Sequence, residues 1–137
     1  MTTQDLMSIN EAREWLRKAV ALRGADFVYR DLDVVEEGDV NENCFYLPQP
    51  QLPEDDPRHR TGCLIGTAMM LAGREITPEH EAHNPSSLLD AWSLTPEAGS
   101  LMGCVQAQQD GGMPWGSALS TGEEAYNRLY LTVQRSL

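Results

Sequence analysis

Thr61-Gly62-Cys63-Leu64-Ile65-Gly66-Thr67-Ala68-Met69-Met70-Leu71-Ala72-Gly73 is the stretch that decides the fold. It carries no charge. Its composition predicts a helix over about 62–72, capped by Thr61 and ended by Gly73. A helix that is apolar all round has no face to give to water, so it belongs in the middle of a core with the other elements wrapped round it. The chain is long enough for such a core. At 137 residues it is one domain's worth, and a chain of this size buries roughly two-thirds of its unfolded surface without needing a metal or disulfide staple. Apolar residues at 41% and charged residues at 23% are ordinary globular values.

Working outward, the flanking segments read mostly as helices. Ser8-Ile9-Asn10-Glu11 is a capping box, and Ala12, Trp15, Leu16, Ala19 and Val20 follow at three- and four-residue steps. This predicts a helix over about 9–23 with Gly24 as its left-handed stop. Ala25–Arg30 and Cys44–Leu47 are β-prone and could pair as a minor two-stranded element. The 31–43 connection between them could hold a short helical turn around Val34-Val35. Prolines 48, 50, 53 and 57 predict an exposed loop over 48–60. Thr77-Pro78-Glu79 starts a short turn limited by Pro85, Leu88–Trp92 is a short segment, and Thr95-Pro96-Glu97 starts a longer helix that ends at Gly111-Gly112. Thr121-Gly122-Glu123-Glu124 is expected to cap a last helix, with Tyr126, Leu129, Tyr130 and Val133 as its stripe. The expected fold is therefore mainly α: a single domain over 1–137, with four to six helices and a minor two-stranded β element. An acidic, proline-rich exposed region lies within it at 31–60.

The charge bounds the function. Twenty-one acids against ten bases give −11, which disfavours nucleic acid and anionic membrane surfaces as partners. Nine of the acids fall in 31–56, a stretch without a single base. The longest apolar run is well short of the ~20 residues that span a bilayer, and the N-terminus has no secretory pattern. Three cysteines with no C-x-x-C fit reduced thiols. A cytoplasmic protein is expected, monomeric or homodimeric.

Three segments carry a family resemblance. They are Cys44-x-Tyr46, then Gly62-Cys63-Leu64-Ile65-Gly66, then Val105-Gln106-x-x-Gln109-Asp110-x-Gly112-x-Pro114-Trp115-Gly116-x-Ala118. Together with Ala25–Tyr29 they resemble a group of small uncharacterised proteins of actinobacteria and their bacteriophages, over roughly 25–126. The long acidic loop between Cys44 and Cys63 departs from that pattern. Nine arginines against one lysine fit a high-GC source. The resemblance implies an origin and a class of role, the noncatalytic binding of a host or phage protein, rather than a mechanism.

Candidate chemistry is sparse. Cys44, His59, Cys63, His80 and His83 are the residue types of a zinc site, and His59/Cys63 and His80/His83 have helical-turn spacing. None of the strong ligand spacings is met, however, and solvated histidines and buried thiols are the ordinary alternative. Thr61 as cap would put Cys63 in the first turn of its helix, where thiolates are stabilised, with His59 as a base; a small buried core cysteine competes with that reading. No glycine-rich phosphate loop occurs, and no cofactor is expected. For partner binding, Met113 and Trp115 lie on a turn and are residue types enriched at interface centres, although Trp115 could instead pin the last two helices together. Glu36, Glu37, Asp55 and Asp56 could steer a basic partner.

Overall fold

The computed structural model describes residues 5–29 and 45–136. Four helices account for most of it: α1 (Ile9–Arg23), α2 (Leu64–Leu71), α3 (Pro96–Asp110) and α4 (Trp115–Ser136). Short 3-10 turns at Pro57–His59, Pro78–Ala82 and Pro85–Ser87 punctuate the connections. The fold is mainly α, as the sequence predicts. The described parts of the two β-prone segments form no strand. They meet instead through a side chain: the Tyr29 hydroxyl donates to the Phe45 carbonyl and accepts from the Phe45 amide, each at 3.2 Å. One isolated parallel bridge joins Met7 to Leu94. Val34-Val35, Glu36, Glu37 and Cys44 lie outside the described residues.

The α1 boundaries follow from the sequence. Ser8 and Glu11 form the reciprocal capping box, and Gly24 closes the helix at φ 102°, a conformation glycine adopts without strain. Thr95 likewise accepts from the Ala98 amide at the start of α3.

The starts of α2 and α4 differ from the sequence expectation for one shared reason: their first amides are satisfied from far along the chain. For α2 the cap is Cys63, not Thr61. Its Sγ accepts from the Gly66 amide at 3.4 Å, while the Thr61 hydroxyl turns away to the Gly62 carbonyl. The Leu64 amide, first in the helix, donates to Oε1 of Gln109 at 2.7 Å. For α4 the helix begins six residues before Thr121, at Trp115. The Trp115 amide donates to the Phe27 carbonyl and the Gly116 amide to that of Ala25. Thr121-Gly122 is thereby inside the helix, and Gly122 lets α4 press against the backbone of Val105 on α3.

One cluster of buried residues draws on all four helices. Leu64 to Met69 are buried in its middle, as an apolar helix should be, but Met70 is 54% exposed. The loop over 48–60 is only partly exposed, because Leu52 and Arg58 are buried. Trp115 packs edge-on to Phe27 and Trp92 edge-on to Tyr46, with ring centroids 4.7 and 4.9 Å apart. No described helix is long and apolar enough to cross a membrane.

Gly62 and Gly66 carry a steric constraint. A Cβ on either would stand 2.0 Å from the Tyr46 carbonyl oxygen, so the 45–47 segment can lie against α2 only over glycine. Gly103, in the interior of α3, has nothing within 4 Å of a built Cβ. Gly66→Ala is expected to cost about 3 kcal/mol or more through backbone displacement, whereas Gly103→Ala should be neutral or stabilise by about 0.5–1 kcal/mol. Urea denaturation of the two variants checks the contrast.

Candidate functional site

The Tyr46–Pro48 segment is placed by two elements. Glycines hold it against α2, and Glu81, on the Pro78–Ala82 turn, holds it from the other side. The Glu81 carboxylate accepts from the Tyr46 amide at 2.6 Å and the Leu47 amide at 3.2 Å. Burial pushes this carboxyl above its usual range, opposed by the two amides. The Tyr46 hydroxyl donates to the His83 carbonyl at 2.7 Å.

Between this segment and α2 lies a cleft of about 180 Å³. Tyr46, Leu47 and Pro48 form one side, and Met70 and Ile76 add apolar surface on the other. Arg23, Arg60 and Arg74 also line it, and among the described residues no carboxylate does. In a chain with twice as many acids as bases, that local charge is opposite to the whole. Arg23 and Arg60 are exposed and form no ion pair with a described residue. Arg74 is committed: it donates to the carbonyls of Trp92 at 2.8 Å and Asp5 at 3.2 Å. Thr61 and Thr67 also line the cleft, and both hydroxyls donate to the Gly62 carbonyl. A second hollow of about 350 Å³ shares Arg23, Arg60 and Thr61 with the first and is bounded by Glu54, Asp55 and Asp56.

The residues singled out in the sequence take other places. Trp115 is fully buried, and its indole donates to Oε1 of Gln109 at 3.1 Å. It is therefore not presented on the surface; it pins α4 to α3, because a buried indole N–H needs an acceptor and Gln109 supplies one. Met113 is half-buried against the core. Asp55 is exposed. Asp56 receives both Nε (3.0 Å) and Nη2 (2.7 Å) of Arg58, which is 3% exposed. That guanidinium holds the Asp56 carboxyl below its usual range.

The ligand-type residues serve the scaffold. Cys63 is fully buried and caps α2. Nδ1 of His59 bonds the Leu52 carbonyl at 2.7 Å. Nδ1 of His80 accepts from the Thr77 amide at 3.1 Å and the Trp92 indole at 3.2 Å, which occupies that lone pair. His83 is exposed. Among the described residues no three of His, Cys, Asp and Glu are grouped so as to hold a metal ion.

The arginine-lined cleft went unread in the sequence because its cations stand far apart, at 23, 60 and 74, and only the fold assembles them. The chain matches no protein-family model, no curated protein and no solved structure.

The Asp56–Arg58 pair supports the segment that carries Arg60. A carboxyl whose pKa is lowered on folding contributes stability above its unfolded pKa and loses it as pH falls through the folded value. Asp56→Asn should therefore destabilise by about 2 kcal/mol at neutral pH, by leaving Arg58 short of its counter-charge. The gap between wild type and variant should close as pH falls below the carboxyl's ordinary 3.8. Denaturation midpoints from neutral pH down to the acid limit measure it.

Proposed function

We propose that this protein is a noncatalytic binding module that recognises another protein in the cytoplasm. One observation carries the reading: a cleft with apolar walls, three arginines and no carboxylate among the described residues opens beside an exposed methionine on an otherwise acidic chain. Exposed apolar surface beside arginine is the composition of interface centres. The residues with catalytic potential support the same reading, since Cys63, His59 and His80 are engaged in capping and hydrogen bonding. The excess of acids works against phosphate backbones as partners.

The resemblance to small actinobacterial and phage proteins supports a partner in host replication, transcription or division machinery. The exposed acids at Glu54 and Asp55 add a second charged surface next to the arginines, suited to orienting a partner of mixed charge.

The test is affinity capture from actinobacterial lysate at low salt, with wild type and the double charge reversal Arg23→Glu/Arg60→Glu as bait. Both arginines are exposed, so the variant should stay folded, its melting temperature lowered only by the charge reversal in the last turn of α1. Wild type is expected to retain a stoichiometric protein that the variant loses by about tenfold. A capture free of partner would overturn the reading.

A further inference from the structure

We infer that the cleft between Tyr46–Pro48 and α2 is a docking site for an extended protein segment bearing one apolar anchor side chain next to carboxylates. This inference rests on the binding-module reading and names the chemistry of its partner. The cleft's size fits one anchor: about 180 Å³ is room for one side chain, and the adjoining hollow of about 350 Å³, which shares Arg23, Arg60 and Thr61, is room for the residues next to it. Its walls decide the anchor. Tyr46, Leu47, Pro48 and Met70 present apolar surface. The two threonine hydroxyls within it already donate to the Gly62 carbonyl, so neither has a proton left to offer a carboxylate or carbonyl anchor.

The charge decides what flanks the anchor. Arg23 and Arg60 are exposed, ion-paired to no described residue, and shared with the adjoining hollow. They therefore reach beyond the cleft, where neighbouring residues of an extended segment would lie. Arg74 spends its donors on carbonyls, yet its positive charge remains in the cleft. Within the cleft the charge of the described residues is cationic, whereas Glu54, Asp55 and Asp56 bound the adjoining hollow; a carboxylate is therefore favoured directly beside the anchor, within reach of Arg23 and Arg60, and its contribution is screened by salt.

The experiment titrates the full-length, isotope-labelled protein with nine-residue peptides and follows backbone amides and methionine methyls by NMR. One peptide has a central leucine flanked by glutamates, the second replaces the glutamates by lysines, and the third replaces the leucine by serine. A fourth arm uses free 3-phenylpropionate. The glutamate–leucine peptide is expected to bind saturably, shifting the Gly62, Gly66 and Thr67 amides and the Met70 methyl. Its affinity should fall by about tenfold in Arg23→Glu/Arg60→Glu or Met70→Asp, and should also fall with added salt. The lysine and serine peptides should shift these signals little. Equal binding of the lysine peptide, or no shift at these residues, would overturn the proposal. Binding of 3-phenylpropionate as tight as the peptide's would replace the docking site by a small-molecule site. A protein captured from lysate regardless of Arg23 and Arg60, with no peptide binding here, would remove this site and leave the binding-module reading intact. Capture of nothing would remove both.

Discussion

The side-chain carbonyl of Gln109 is the acceptor on which the helix arrangement turns. Its Oε1 takes the amide of Leu64, the first residue of α2, and the indole N–H of Trp115, the first residue of α4, while Gln109 itself belongs to the last turn of α3. All three groups are buried. A buried donor left without an acceptor costs about 1–3 kcal/mol, so one oxygen removes two such penalties and fixes three helices at a single point. The amide nitrogen of Gln109 is engaged too, donating to Asp110 at 3.2 Å. With the start of α2 fixed in this way, Gly66 on the helix and Gly62 just before it face the Tyr46 backbone, and that contact forms one side of the cleft.

The same point accounts for two of the most distinctive segments of the sequence. Gly62-Cys63-Leu64-Ile65-Gly66 contains the two glycines that admit Tyr46, the thiol that caps α2 and the amide that reaches Gln109. Gln109 and Trp115–Gly116 supply the acceptor, its second donor and the close approach to Ala25. Each of these residues has a packing or capping role, so the motifs describe a scaffold. The surface suited to recognition lies beside them, on Arg23, Arg60 and Met70.

Legibility followed the range of the interactions. The α1 and α3 boundaries were readable because their caps are local: Ser8 with Glu11, Thr95 with Ala98. The starts of α2 and α4 were not, because Gln109, Ala25 and Phe27 provide the partners from a distance. Thr61 and Thr121 resemble caps in sequence, but one donates to a carbonyl and the other is in a helix interior. Trp115 allowed two readings, exposed anchor or internal pin, and its hydrogen bond to a buried glutamine decides for the pin. The arginine cluster was hidden most deeply. A total of −11 suggests a repelling surface everywhere, whereas folding sorts three scattered cations into one cleft that no described carboxylate lines.

A double-mutant cycle on Gln109 and Trp115 tests the central claim most directly. Gln109→Leu, Trp115→Phe and the double variant would be compared with wild type by denaturant unfolding. If the Gln109 carbonyl joins α3 to α4 through the indole, the two substitutions are coupled by about 1 kcal/mol or more. Strictly additive losses would contradict the account, because they would mean that the indole and the amide stabilise the fold independently.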